Sequence, residues 1–118
     1  MDIETFLGNK GFEIGTDGAK YFSMLLEDVI FALEENIPKE IIREKVIPSA
    51  KDFYYRFHRV SKKQYLNKIN KFCNTIIIDG NKTITTENVD DMLLRLGTKY
   101  IKENKAEKVK SYQKCKKK

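Results

Sequence analysis

A chain of 118 residues with 41% hydrophobic side chains is long enough for one small folded domain with a modest core. Its two cysteines are too few for a disulfide framework and are typical of a reducing compartment. No segment approaches the run of about 18 apolar residues that a membrane span needs, and the acidic opening MDIETFLGNK lacks the apolar core of a signal peptide. We therefore exclude a disulfide-rich scaffold and a membrane partner, and expect a soluble cytoplasmic protein.

The net charge of +6 is unevenly distributed along the chain. Residues 1–36 carry a net charge of −6 and residues 75–96 carry −2, whereas residues 37–74 and 97–118 each carry +7. Two basic blocks of this kind favour a polyanionic partner. Charge alone leaves a second interpretation equally open, in which lysine-rich helices only keep the protein in solution.

Apolar residues recur at three- and four-residue spacing through the first half of the chain, which is the helical period. A short helix or turn precedes a long helix, which Asp17 is expected to cap and Asn36 to end. Pro38 is well placed as the first residue of a second helix, and Pro48 starts a third. Because the residue before a proline is biased out of the helical conformation, we predict two separate helices here.

The third predicted helix carries an aromatic and basic segment, FYYRFH, at residues 53–58. Interleaved side chains of these two kinds can stack on single-stranded nucleic acid. At helical spacing, however, Phe53, Tyr54 and Phe57 form one apolar stripe with Ala50. We therefore expect this stripe to face the core.

After a turn that begins at His58, residues 61–73 predict a further helix with two different faces. Ser61 and Gln64 have the spacing of a capping box, in which each side chain bonds the backbone of the other. One face is apolar and is expected to dock on the preceding helices: Tyr65, Leu66, Ile69, Phe72 and Cys73. The other face is polar: Lys62, Lys63, Gln64, Asn67, Lys68, Asn70 and Lys71.

The polar face of this helix combines two kinds of side chain that DNA-binding proteins use. Lysines neutralise phosphates, while asparagine and glutamine pair with base edges, notably with adenine. A helix that only confers solubility usually mixes glutamate with lysine, yet this one contains no acidic residue. The composition therefore predicts nucleic-acid recognition.

The sequence period then changes from helical to alternating. Residues 75–78 and 83–86 are rich in β-branched side chains and predict two strands, joined by a tight turn, DGNK, at residues 79–82. Asn81 and Lys82 are expected at the tip of this hairpin. A hairpin tip of this kind either contacts an adjacent groove or backbone of DNA or is a plain surface turn.

Thr86 is expected to cap a final helix over residues 87–104. Its apolar stripe either packs back on the long helix or pairs two subunits in a homodimer. Residues 105–118 form a lysine-rich tail, which either adds sequence-independent affinity for DNA or is simply solvated. The domain itself is expected to span residues 1–104.

The order of short helix, turn, helix and hairpin resembles a winged helix-turn-helix. The segment RVSKKQYLNKI, residues 59–69, is similar to the turn and the start of the recognition helix in many bacterial helix-turn-helix proteins. Arg59 stands at the turn position that often holds glycine, and Tyr55 at one that usually holds a small residue. The predicted fold is thus mainly α with a small β-hairpin, a winged helix-turn-helix plus a C-terminal helix.

A second resemblance covers more of the chain. The segments LGNKGFEIGTDGAKYF, VIPSAKDF and TTENVDDMLLRL resemble the DNA-binding effector domain of the sporulation response regulator of endospore-forming bacteria. Gly18 and Tyr21 match the glycine-aromatic entry of that family, and Pro48 matches the proline that opens its motif. The resemblance implies binding of double-stranded DNA. The family's arginine-rich recognition segment is replaced here by lysine, glutamine and asparagine.

These observations predict sequence-specific binding of double-stranded DNA. The expected base readers are Lys63, Gln64, Asn67 and Lys68. Ser61 begins the recognition helix, and the expected backbone contacts are Arg56, Arg59, Lys62 and Lys71, with Asn81 and Lys82 on the wing. The role is that of a transcriptional regulator, or of a plasmid or phage accessory protein at a transfer or replication origin, with protein partners in a larger DNA complex. The alternative is a protein-interaction module whose basic helix binds an acidic partner.

Catalysis is not expected from this sequence. His58 is the only histidine and Cys73 belongs to an apolar stripe, so no metal cluster or cysteine–histidine pair can be assembled. The glycines near the N-terminus lack the lysine and hydroxyl ending of a phosphate-binding loop. We expect no cofactor and no metal.

Overall fold

The computed structural model describes the backbone of residues 1–116 and the side chains of residues 1–105. This part of the chain is mainly helical with one small two-stranded antiparallel sheet, as the sequence predicts. In chain order the elements are α1 (Ile3–Asn9), α2 (Asp17–Glu34), α3 (Lys39–Ile41), a π-helical segment (Ile42–Val46), α4 (Ile47–Phe57), α5 (Lys62–Asn74), β1 (Thr75–Ile78), β2 (Asn81–Ile84) and α6 (Val89–Lys116).

Helix α2 is the centre of the fold, and α1, α4, α5 and α6 pack around it. Its buried residues repeat at the helical period predicted from the sequence: Tyr21, Phe22, Leu25, Leu26, Val29 and Ile30. The N-cap is Thr16, whose hydroxyl accepts from the backbone N–H of Ala19, and not Asp17 as expected. Asp17 lies one position inside the helix, where a carboxylate favours the helix dipole.

The expected break before Pro48 is absent. Residues 39–57 form one continuous helical stretch, because the π-helical segment leads from α3 into α4 with helical dihedral angles at Ile42 and Ile47. Proline lacks an N–H and its ring crowds the carbonyl four residues earlier in an α-helix. A π turn is wider, and its bond from the Ile47 N–H to the Ile42 carbonyl spans five residues. Pro38 precedes α3 instead of being its first residue.

The aromatic stripe predicted on α4 is only partly buried. Ala50 and Tyr54 pack against the core, but Phe53 and Phe57 are 61% and 60% exposed, and their rings stack at 6.1 Å. The inward face continues from Tyr54 to His58, four residues further on, and this turns Phe53 and Phe57 to the outside. The expectation that both phenylalanines face the core is therefore wrong.

The hairpin forms with a tighter turn than expected. Asp79 and Gly80 make a two-residue turn, both with positive φ (52° and 81°), which is the geometry that matches the twist of two antiparallel strands. Ile78 pairs with Asn81, so Asn81 and Lys82 are the first two residues of β2 and not the tip. β2 ends at residue 84, two residues earlier than predicted.

The outer edge of β1 is covered by the loop after α1. There the backbone N–H of Ile77 donates to the carbonyl of Gly11, which has φ 95°. A Cβ at Gly11 would collide with the carbonyl of Ile77, so only glycine allows this approach. The outer edge of β2 has no neighbouring strand in the described chain, and residues 81–84 are all exposed.

Helix α6 begins two residues later than predicted. The side chain of Asn88 accepts from the N–H of Asp90 at 2.8 Å, so Asn88 and not Thr86 satisfies the first turn. The apolar stripe packs on α2 and is buried there: Met92, Leu93 and Leu96. Of the two predicted arrangements, packing on the long helix or pairing of two subunits, the stripe therefore has the first. α6 continues to Lys116, through most of the predicted tail, whose side chains beyond residue 105 lie outside the described residues.

Candidate nucleic-acid interface

Helices α4 and α5 are joined by a tight turn with Arg59 at its centre. The N–H of Arg59 donates to the carbonyl of Arg56 at 3.0 Å, and the N–H of Val60 donates to the carbonyl of Tyr55 at 3.1 Å. This pair of bonds closes α4 in a Schellman motif, with Arg59 in the left-handed conformation (φ 56°). Arg59 therefore has a backbone conformation that glycine favours, although the residue is arginine.

Helix α5 starts with the predicted capping box. Ser61 Oγ accepts from the N–H of Gln64 at 3.1 Å, and Gln64 Oε1 accepts from the N–H of Ser61 at 3.4 Å. Pairing with adenine uses both the oxygen and the nitrogen of a glutamine amide. The cap engages one acceptor site of the Gln64 oxygen, and the N–H donors of this side chain point to no partner in the described chain.

The apolar face of α5 docks on α2 as predicted, with Tyr65, Ile69, Phe72 and Cys73 buried. Burial raises the pKa of the Cys73 thiol to about 12. The two helices touch at backbone level at Gly18, where a Cβ would lie 2.5 Å from the carbonyl oxygen of residue 68. The absence of a side chain at Gly18 thus sets how closely α5 approaches α2.

The opposite face of α5 is exposed and free of acidic residues. Its exposed polar residues are Ser61, Lys62, Lys63, Gln64, Asn67, Asn70, Lys71 and Asn74. Lys62 Nζ lies 3.5 Å from Asp52 Oδ1 across the turn. Among the described residues, Lys63 and Lys71 have no carboxylate within ion-pair distance. Two lysines without an ion pair and four amides therefore lie on one exposed surface that carries no acidic side chain.

Lys68, one of the four predicted base readers, is engaged within the protein. Its Nζ lies 2.7 Å from Asp17 Oδ2 and 5.9 Å from the centroid of the Tyr21 ring. The hydrogen bond raises the pKa of Lys68 and lowers the pKa of Asp17. Lys68 thus links α5 to the start of α2. Sequence reasoning missed Asp17 as its partner, because nothing local connects residues 51 positions apart.

The remaining predicted contacts lie on both sides of α5. Arg56 and Arg59 are exposed near its start, with the Arg56 guanidinium 5.7 Å from the ring centroid of Tyr55. At the other end, Lys71 and Lys82 line a common cavity of about 340 Å³ between α5, β2 and the start of α2. The structure therefore brings Lys82 of the hairpin to the same side as α5.

His58 packs between the α4–α5 turn and the aromatic residues of α2 and α5. Its ring lies 4.2 Å from that of Tyr21 and also stacks near Tyr65. Burial lowers the pKa of His58, so the neutral ring is favoured. His58 Nε2 and the Tyr65 hydroxyl are buried without a hydrogen-bond partner among the described residues. The histidine belongs to an aromatic cluster beneath the α4–α5 turn.

Among the described residues, no three histidine, cysteine, aspartate or glutamate side chains gather where they could hold a metal ion. In the same part of the chain, no helix combines the length and apolar character needed to cross a membrane. No family, curated protein or solved structure matches this chain.

Proposed function

We propose that this protein binds double-stranded DNA in a sequence-specific way, as a winged helix-turn-helix protein with α5 in the major groove and the β1–β2 hairpin as its wing. The observation that carries the proposal is the exposed face of α5, which presents lysines and amides without a single acidic residue. A helix held by its apolar face against a central helix is rigid enough to present such a face in one orientation.

Electrostatics supports this choice of partner. Lys71 and Lys82 line one cavity, Arg56 and Arg59 are exposed near the start of α5, and each lysine that meets a phosphate releases a counterion. Because Lys63 and Lys71 have no acidic partner in the described chain, their charges need not be freed from an internal ion pair before they bind.

The proposed roles follow the contacts. Lys63 and Asn67 read bases directly, Gln64 does so through its N–H donors, and their positions in the first half of α5 are those that reach base edges in helix-turn-helix proteins. Phosphates are held by Arg56, Arg59, Ser61, Lys62, Lys71 and Lys82, with Asn81 beside them on β2. Lys68 instead anchors α5 on Asp17.

The biological role that fits is a transcriptional regulator, or an accessory protein of plasmid or phage origin that marks a transfer or replication origin within a larger complex. Either role belongs to a cytoplasmic binding protein without catalysis, cofactor or metal. One observation favours the alternative of a protein partner. The hairpin turn carries Asp79, and a carboxylate at a wing tip repels phosphates, whereas a protein partner of α5 need not contact the hairpin. A basic helix that binds an acidic protein surface is therefore the second candidate.

Selection of binding sites from a random pool of double-stranded DNA at near-physiological salt tests the proposal. An enriched motif is expected. Fluorescence anisotropy then compares the selected duplex with a scrambled one. Asn67→Ala should cost about 1–3 kcal/mol on the selected site and much less on the scrambled one. The matched control is Asn9→Ala, an exposed asparagine of α1 outside the proposed DNA-binding surface, which should change the affinity for neither duplex.

The outcomes separate the candidates. Equal losses on both duplexes for Asn67→Ala would contradict base reading by this residue. Binding without an enriched motif would indicate a sequence-independent DNA protein. Absence of binding would remove the DNA proposal and leave the acidic protein partner.

A further inference from the structure

A groove runs along the outside of α2, on the side of the helical stretch from α3 to α4. It has a volume of about 600 Å³, and its floor is apolar, with Ala32, Ile37, Val46 and Ala50. Phe31 of α2 and Phe53 of α4 line it from opposite sides. The DNA-binding proposal makes no use of this surface.

Two exposed phenylalanines, Phe31 and Phe53, line this groove, and the exposed ring of Phe57 stacks on Phe53 at 6.1 Å beside it. Phe31 is 65% exposed, and Phe53 and Phe57 are exposed to nearly the same extent. A covered aromatic side chain buries about 150–250 Å², so the three leave roughly 300–400 Å² of ring surface in water. That approaches the largest apolar patch of a typical monomer, and it supplies nearly half of the ~800 Å² that each partner contributes to a standard interface.

The two walls of the groove carry opposite charges. On the α2 wall, Asp28 lines the groove, and Glu35 lies seven residues further along the same helix face. On the opposite wall, Lys45 lines the groove and has no carboxylate within ion-pair distance among the described residues. Its neighbours Arg43 and Lys51 are already paired with acidic residues of α6.

Lys45 on one wall and Glu35 on the other lie at the same level along the groove. The chain reverses at Asn36, and the hydroxyl of Tyr54 donates to Asp28 Oδ2 at 2.8 Å, so α4 runs back along α2. Lys45 precedes Tyr54 by nine residues. At a rise of about 1.5 Å per residue, it therefore lies level with the last turn of α2, where Glu35 is the C-cap.

We propose that a second copy of this chain docks on the groove, with a two-fold axis parallel to it. Rotation about such an axis places the acidic wall of each copy over the basic wall of the other, and keeps residues at the same level opposite each other. Lys45 then meets Glu35 of the second copy, while the phenylalanines of both copies cover one another. A surface that matches itself under a two-fold rotation is the requirement for a closed dimer.

This dimer does not depend on DNA binding. It uses a different surface from the apolar stripe of α6, which is covered by α2 within one chain.

Sedimentation equilibrium of the full chain over a wide concentration range tests the proposal. The wild type should form a reversible dimer. Phe31→Glu and Phe53→Glu should each weaken the dimer roughly 30-fold or more, the loss typical of a central interface residue. The matched control is Ile84→Glu, which removes a side chain that is 79% exposed on the hairpin and should leave the dimer unchanged. Far-UV circular dichroism confirms that each variant is folded.

A charge reversal tests the orientation. Lys45→Glu should weaken the dimer, and adding Glu35→Lys in the same chain should restore it. A wild type that stays monomeric at every concentration overturns the proposal, as does a dimer that Ile84→Glu disrupts as strongly as Phe31→Glu. Failure of the double charge reversal to restore the dimer overturns the two-fold arrangement.

Discussion

Replacing Gly18 with alanine should loosen the packing that holds α5 on α2. The added Cβ would lie 2.5 Å from the carbonyl oxygen of Lys68 and 3.1 Å from Cβ of Phe72, whereas ordinary contact begins at 3.4 Å. The carbonyl must therefore retreat by about 0.9 Å (3.4 minus 2.5 Å). It belongs to the backbone of a helix and cannot rotate away as a side chain would, so α5 has to move as a unit.

The expected cost combines two opposing effects. Forcing extra volume into a packed site costs about 1–3 kcal/mol. Alanine in place of glycine in a helix recovers about 0.5–1 kcal/mol. We therefore expect Gly18→Ala to lower the free energy of unfolding by roughly 1–2 kcal/mol. The displaced α5 should also bind DNA more weakly.

Urea unfolding followed by circular dichroism measures this change, with Gly8→Ala as the control. Gly8 is also a helical glycine, but a Cβ there meets Ile14 at 3.6 Å, an ordinary contact. Gly8→Ala should therefore stabilise the protein by about 0.5–1 kcal/mol. If both variants stabilise the protein equally, α5 does not approach α2 as closely as the structure describes.

Three further predictions concern single side chains. Tyr65→Phe removes a buried hydroxyl without a partner in the described chain and should leave thermal stability unchanged or raise it. Tyr54→Phe removes the hydrogen bond to Asp28 and should lower stability by about 1 kcal/mol. A larger loss for Tyr65→Phe than for Tyr54→Phe would contradict this assignment of hydrogen bonds. In a Cys115→Ser background, the thiol of Cys73 should not react with Ellman's reagent at pH 8 until the protein unfolds, because burial disfavours the thiolate. A rapid reaction in the folded protein would show that the thiol is accessible. Lys71→Ala should reduce the slope of log affinity for DNA against log salt by about 0.9, and an unchanged slope would exclude a phosphate contact.

The features that the sequence predicted correctly depend on residues close together in the chain. The capping box of Ser61 and Gln64 needs residues three apart. The hairpin, although its turn is tighter than predicted, needs two adjacent residues that tolerate positive φ, Asp79 and Gly80. The buried stripe of α2 follows from a period within one helix. In each case the physical cause lies within a few neighbouring residues, so their spacing in the sequence is sufficient to predict the feature.

The features that were missed depend on distant residues. The spacing within α4 allows either Phe53 or His58 to belong to the inward face. The position of α2 decides between them, and His58 is the residue that packs inward. The engagement of Lys68 by Asp17 requires that α5 crosses the start of α2. Tertiary packing overrides local preference at all of these positions.

The hairpin edge also bears on how the protein avoids self-aggregation. A strand edge with free N–H and C=O groups is a template for uncontrolled pairing between chains. Here the loop at Gly11 occupies the edge of β1, so within the described chain the open strand edge is that of β2. That strand is four residues long and carries Lys82. Short length and a lysine both discourage strand addition, so the exposed hairpin resists the growth of extended sheets.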